Sequence, residues 1–512
     1  MEAFLQERSE SLVSALRYGL KEQASLITDR REATFFPSGP SENIGPGQSR
    51  VIKFVLAADA WLQSQTVTFT CQVVNNNANE LRFLGSLPMC LFRTVRLYIS
   101  GIPAEISEEY NRVHQMFELC LSKDHYVLEH TKGQPLEDPY ASKASQLNTA
   151  ALGDQDTCRL MSKIPGNGGG TKLNAVTVTG SFNLGTLQSA MMIPLSHSPI
   201  TLELEIVGTA AEVVQSAIDG GGGGADAGGV AGVPAEARSA DWSIRNPRVN
   251  CSLMTLSSSA NSEYDKLLST SGILINAKSY TTMQQSLSAA SSSRMNFFLS
   301  KSNIEALFLT FVGTPQIVPQ THQAITGAGA NEPERIARTT AMEQRLQATY
   351  KEVNTFMHPD FFVSDGNGTT QHKANKVPFT VRLSIGSKLL PEHAIESPQE
   401  AMYHLLQALG LTAMRDSIAC AGHGYSRLAH IEAYNTERYT GAGEDYDGLG
   451  LSTRGAEGIQ VQLTGNVGGR GQAAIYQGTA AAAANGCLEK CFITIVSSLK
   501  LLLKTGVCQV SD

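Results

Sequence analysis

One stretch of this chain is written twice, and that repeat constrains the fold more than any other feature. Residues Phe92 to Ser122 and Phe379 to Gly410 present the same parts in the same order. In the first copy Val95, Leu97 and Ile99 alternate with Thr94, Arg96 and Tyr98, the period of a half-buried strand. In the second, the same Thr-Val-Arg-Leu sequence at 380–383 sets up the alternation of Val381, Leu383 and Ile385. Each strand breaks at a glycine (Gly101, Gly386), passes a proline (Pro103, Pro391) and enters a helix behind a serine cap, Ser107 or Ser397. Pro398 at the first helical position and Glu400, placed to reach back, strengthen the second start. The expected apolar faces are Tyr110, Val113, Phe117 and Leu121 in one helix and Met402, Leu405 and Leu409 in the other.

The offset between copies is 286 residues at the strand (94 to 380) and 290 at the helix cap (107 to 397). A nearly constant offset of that size reads as two copies of one domain rather than a short-period solenoid. The length of 512 residues agrees, being too long for one core and sufficient for two. Charged residues make up 17% of the chain, the net charge is −7 and no Lys/Arg cluster occurs, so the electrostatic footprint of a nucleic-acid-wrapping protein is lacking. Nine cysteines with no CxxC pair point to reduced, buried thiols, and Cys487 and Cys491 read as packing residues rather than metal ligands. The opening residues carry acids where a secretory signal carries bases, so no secretion by that route is expected. Phe492 to Val507, the most apolar long run, contains Lys500 and Lys504 and makes a poor membrane span. In an unsecreted chain the sequons at Asn250 and Asn367 carry no glycan.

Along the chain, residues 1–45 read as an arm: Leu5, Leu12, Leu16 and Leu20 fall near one helical face, and Pro37, Pro40 and Pro46 mark an extended strap. Acids match bases around that stripe, which favours a protein partner over a membrane surface. Strand signals fill 46–208, interrupted by a weakly patterned excursion from Thr131 to Thr171. The glycine run from Asp219 to Gly229 reads as a flexible connector, placing a linker at 209–240 and a second domain at 241–512. No Gly-Lys-Ser/Thr follows those glycines, so they do not form a phosphate loop. Short strands recur in the second half, with a helical patch at Asn261 to Leu268 and an alanine tract at Ala480 to Ala484. The expected fold class is therefore all-β, two β-sandwiches in tandem with short inserted helices.

Phe92 to Gly101, followed by Glu109-Tyr110-Asn111-Arg112-Val113, resembles the corresponding segment of double jelly-roll major capsid proteins, particularly those of Polinton-like viruses and virophage-like relatives. Gly386 to Ser397, running into Glu400, Tyr403 and Leu405, is similar to the second-domain signature of that family. Pro194-Leu195 with Pro199 to Glu205 resembles the end of its first jelly roll, and Gly450 to Arg454 a late turn of its second. The glycine and alanine tracts depart from the pattern. The resemblance implies two eight-stranded jelly rolls per chain, a homotrimeric pseudo-hexameric capsomer and an icosahedral shell around double-stranded DNA. It further implies contacts with neighbouring capsomers, penton and minor capsid proteins, no sequence-specific nucleic-acid binding, no catalytic or cofactor site, and residence in the virion. The arm would lie at the capsomer base.

Two rivals use the same scaffold. His358-Pro359-Asp360 has the ligand spacing of a two-histidine, one-carboxylate iron site, with His404 downstream and Arg415-Asp416-Ser417 able to hold an acidic cosubstrate such as 2-oxoglutarate. Against it, His404 falls on the predicted helix and Pro359 interrupts the strand that would carry the ligands. His423 and His430 read as solvated or hydrogen-bonded. A carbohydrate-binding lectin is the other rival, because a sandwich alone does not fix function.

Overall fold

The structure, a computed structural model, describes residues 27–46, 50–79, 81–122, 162–166, 174–189, 191–215, 239–287, 292–313, 351–356, 358, 380–411, 418–420, 425, 429–437, 450–454, 458–464 and 488–511. Its first part runs β1 (Ile27–Phe35), β2 (Val51–Leu56), β3 (Trp61–Gln63), β4 (Thr68–Asn75), β5 (Leu81–Phe83), β6 (Phe92–Ile99), β7 (Ile102–Ser107) and α1 (Tyr110–Leu119). There follow β8 (Ser162–Ile164), β9 (Ala175–Ser181), α2 (Gly185–Gln188), β10 (Met192–Pro194), β11 (Ile200–Ile206) and β12 (Trp242–Leu256). Beyond a connecting helix, α3 (Ser258–Thr270), lie β13 (Ile273–Ser286), β14 (Ser292–Phe297), β15 (Ile304–Gly313), β16 (Thr380–Ile385) and β17 (Lys388–Ile395). The chain ends with α4 (Pro398–Ala408), β18 (Glu432–Asn435), β19 (Ile459–Thr464), β20 (Leu488–Lys504) and β21 (Val507–Ser511).

Two sandwiches of identical topology result. In the first, the sheet β1-β12-β4-β9 packs on the sheet β2-β11-β6-β7. In the second, β13-β20-β15-β18 packs on β14-β19-β16-β17. Each therefore holds eight principal strands, with β3, β10 and β21 as additions and β5-β8 as a separate pair. The match extends to register. Leu202 of β11 lies opposite Phe54 and Leu97, as Val461 of β19 lies opposite Met295 and Leu383. Strict alternation drives both cores: β11, Ile-Thr-Leu-Glu-Leu-Glu-Ile, buries every apolar residue and turns its threonine and glutamates outward. Phe69 anchors the first core, edge-on to Phe54 and Phe92 at ring distances of 6.0 and 5.2 Å.

The repeated stretches occupy equivalent places, as β6-β7-α1 and β16-β17-α4. Each contains one more strand than the sequence reading gave. Gly101 (φ 80) with Ser100 (φ 52) forms a tight reversal after β6, and β7 returns antiparallel beside it. Pro103 and Pro391, read as exits from a strand, instead lie within the edge strands β7 and β17. Ser397 caps α4 as expected, its Oγ accepting from Glu400 N at 3.2 Å, while Glu400 accepts from Glu396 N. Ser107 caps nothing, being the buried last residue of β7. The residue ahead of α1 is Glu109, held at φ 50 with no side-chain cap.

The expected boundaries at 45 and 240 do not coincide with strand pairing. Residues 27–35, assigned to the arm, form β1, which pairs with β12 from Ile27–Leu256 to Phe35–Val249. Residues 242–256, assigned to the second domain, form β12 in the middle of the first sheet. Both differences have a physical cause. As an edge strand, β1 is exposed along most of its length and shows no apolar alternation, and the glycine run comes in sequence between β11 and β12, two strands of the first sandwich. The alanine tract occupies the equivalent β19–β20 connection. Both tracts lie outside the described residues, as do Leu5, Leu12, Leu16 and Leu20.

Candidate assembly surfaces

Helix α1 leaves the first sandwich and is consumed by the second. Nine of its ten residues are buried, so it is not a one-faced amphipathic helix. Tyr110 belongs to the first core, its hydroxyl accepting from Asn183 N at 2.9 Å. Met116, Leu119 and the following Cys120 belong to the second core. Phe117 packs its ring 5.0 Å from Tyr280 of β13 and 5.3 Å from Phe308 of β15. Beyond the helix, Leu119 and Leu121 carbonyls accept from Cys420 N and Ala419 N at 2.9 and 2.8 Å.

Arg112 is the polar centre of this contact. Its guanidinium lies between the rings of Phe356 and Phe492, 4.4 Å from each centroid. It donates to the carbonyl of Thr355 at 2.6 Å, to that of Glu352 and to Thr310 Oγ1 at 2.9 Å. A buried cation is tolerated only when its donors are matched in this way. Alongside, α2 presses against β13 so closely that a Cβ on Gly185 would stand 1.8 Å from the Lys278 carbonyl, which requires glycine there. Glu105 of β7 accepts from Gly185 N and Thr186 N, each at 3.1 Å, and burial pushes its carboxyl up to about 7.

Helix α4 holds the same place in the second sandwich without such a cover. Ala401 and Leu405 face its own core beside β18, while Met402 and Leu409 are half-buried. Tyr403 is 56% exposed, held at its tip by a hydrogen bond from Gln407 Nε2 at 2.9 Å, and Leu389 of β17 is exposed at the edge. The outer face of β1-β12-β4-β9 is polar. It presents a ladder of paired polar groups: Thr34 to Asn250 at 2.9 Å, Asn250 to Thr70 at 3.0 Å, and Thr70 to Thr179 at 2.9 Å. The within-chain contact thus joins the helix side of one sandwich to the large-sheet face of the next; the counterparts of these two surfaces are α4 with β17 and the outer face of β1-β12-β4-β9.

Of the residues read as a candidate iron site, His358 and His404 lie among the described residues. His358 is buried and stands perpendicular to His430, ring centroids 4.5 Å apart. His430 Nε2 is 3.0 Å from Glu432 Oε1, and Tyr434 donates to Glu432 Oε2 at 3.2 Å. His404, half-buried on α4, bears electrostatically on Glu432. Among the described residues no group of three or more His, Cys, Asp or Glu is arranged to hold a metal ion. Asp360, Arg415, Asp416, Ser417, His423 and Cys487 lie outside the described residues. His430, read as solvated or hydrogen-bonded, is fully buried and bonded. Its partner Glu432 was overlooked, and the signal for it was an acid two residues after a histidine, at the start of a short strand. Cys491 is buried in packing. No helix among the described residues is long and apolar enough to cross a membrane.

No family model and no curated protein matches the chain. Solved structures do. VP54 of the virus PBCV-1, fitted into a reconstruction of the virophage Sputnik, matches with a TM-score of 0.54 and 10% identity over 97% of this chain and 99% of that one. A chain of the Sputnik virophage structure matches at 0.50 and 12% identity, covering 97% and 91%. The Faustovirus major capsid protein matches at 0.50 and 10% identity, covering 96% and 94%. Identities this low speak to architecture, and together with the paired eight-stranded topology they place the chain in the double jelly-roll fold shared by these viral proteins.

Proposed function

We propose that this chain is the major capsid protein of a double-stranded DNA virus, a structural rather than catalytic component of the virion shell. One observation carries the reading: two jelly rolls of the same topology stand in tandem over nearly the whole length that matches PBCV-1 VP54 and the Faustovirus major capsid protein. The domains on this reading are a first jelly roll from β1 to β12, a bridge at α3 and a second from β13 to β21, with residues 1–26 as an arm towards neighbouring subunits or minor proteins.

The self-partner follows from the surfaces. A head-to-tail contact that leaves one copy of each half unused either closes into a ring or grows open-ended. With two sandwiches per chain, three chains give six similar lobes, and α4 with β17 meets the outer face of β1-β12-β4-β9 on the next copy. Such an interface belongs to the obligate class, roughly 2,000 Å² or more per pair. Light scattering and electron microscopy of the purified full chain test the proposal. Expected are particles near three times the chain mass with a six-lobed outline. A folded monomer persisting at micromolar concentration overturns it.

A further inference from the structure

We propose that the outer face of β14-β19-β16 is a docking site for an acidic segment of a partner protein, with a carboxylate seated between Arg294 and Arg382 above Gln462. This inference stands whether or not the chain builds a shell. Its basis is a comparison inside the molecule, because the small sheets of the two sandwiches share one topology and one register. In the first sandwich Glu203 of β11 lies directly between Lys53 of β2 and Arg96 of β6. At the equivalent place in the second, Gln462 of β19 lies directly between Arg294 of β14 and Arg382 of β16. The flanking positions are cationic in both sheets, and the central acid of one is a neutral amide in the other.

The carboxylates of β11 neutralise the first face. Glu203 Oε1 stands 3.2 Å from Lys53 Nζ, and Glu205 Oε2 accepts from Arg96 Nη2 at 2.9 Å. β19 offers no such group, because its outward residues are Gln460, Gln462 and Thr464. Arg294 and Arg382 are exposed, and among the described residues neither makes an ion pair. The one acid on the four strands of this sheet is Glu392 on the edge strand β17, and it too forms no ion pair among the described residues. Met295, Val461 and Leu383, one residue along from Arg294, Gln462 and Arg382, are buried in the second core, so the polar three share the opposite side of the sheet.

Adjacent strands stand about 4.8 Å apart, which puts the two arginine α-carbons about 10 Å from each other, a span that two long side chains close onto one carboxylate or two neighbouring ones. A guanidinium meets a carboxylate with parallel N–H donors, and the Gln462 amide can add a donor between them. The first sandwich indicates the chemistry of the occupant, since the group that fills this place there is a carboxylate. A long polyanion such as nucleic acid fits less well, because two arginines neutralise few phosphates and the chain as a whole carries a net charge of −7. Exposed pairs contribute modestly one at a time, so the face selects and orients a partner more than it supplies the bulk of the affinity.

Fluorescence anisotropy of a labelled, capped polyglutamate peptide of about 20 residues, titrated with the purified full chain at about 20 mM salt, tests this. Expected is saturable binding that weakens about tenfold or more in Gln462→Glu, which supplies the carboxylate internally, and equally in the double variant Arg294→Gln with Arg382→Gln. Lys53→Gln, in the first sandwich, should leave it unchanged. Gln462→Glu has the precedent of Glu203 at the same place in the first sandwich, so a loss of binding there reports charge rather than collapse. Absence of binding to the wild-type chain overturns the proposal, as does affinity undiminished in both Gln462→Glu and the double variant. Tighter binding of a thymidine oligonucleotide of the same charge, lost in the same variants, overturns the choice of a protein partner.

Discussion

α1 and α4 occupy the same position in two copies of one fold, yet they are stabilised by different things. α4 has a serine cap, proline at its first position, a glutamate reaching back to Glu396 and an exposed polar side, so local chemistry defines it. α1 begins after a left-handed Glu109 with no cap and is buried nearly all round, so its neighbours define it. A duplicated motif therefore preserves topology while the source of stability moves from local capping to tertiary contact. The copy that lost its local signals is the one locked inside the chain, and the copy that kept them is the one left facing outward.

The sharpest way to break this comparison is Arg112→Ala, which strands two carbonyls and uncovers two rings. It should cost about 3 kcal/mol or more in denaturant unfolding, against about 1 kcal/mol for the half-buried Met402→Ala on α4. Equal costs would mean that α1 is no strut. The two sandwiches also differ in their buried carboxyls, Glu105 pushed up to about 7 and Glu432 to about 8. Each raised value contributes stability in full below about 4.5 and loses it as pH rises, the Glu105 window closing near 7 and the Glu432 window near 8. Glu105→Gln should abolish the earlier part of that alkaline loss, a gain relative to wild type of about 2 kcal/mol between pH 5 and pH 8.5, followed by urea titration across pH.

Smaller effects sharpen the contrast between outward and inward faces. Tyr403→Asp should leave subunit stability within about 0.5 kcal/mol and weaken self-association at least about tenfold in analytical ultracentrifugation. Tyr264→Asp, a change at another exposed aromatic away from α4, should leave association alone. Least of all are the two serines that the sequence reads alike. Ser397→Ala should cost about 1 kcal/mol through its lost cap, and Ser107→Ala close to none, since its buried hydroxyl has no partner to lose.

How legible this was in the sequence depended on whether the signal was local. β6, β16 and α4 announce themselves by period and cap, and the duplication was visible in their order. β7 and β17 were hidden by prolines that an edge strand tolerates. β1 was hidden because an exposed strand need not alternate, and β12 because a glycine run inside a domain looks like one between domains. At the candidate surfaces Arg112 was quoted only as part of a resemblance. Its role depends on Phe356 and Phe492, hundreds of residues away, and no local pattern encodes that.

The pairing of β1 with β12 also orders events during synthesis. Ile27 meets Leu256, so the first large sheet cannot close until half of these 512 residues have been made. Until then β4 lacks its central neighbour and offers an open backbone edge to any other chain. The second sheet repeats the problem at the other terminus, because β20, the strand that separates β13 from β15, is the last but one to emerge. A nascent chain of this kind carries two unfilled slots in turn, and crowded polysomes are where wrong strands would fill them.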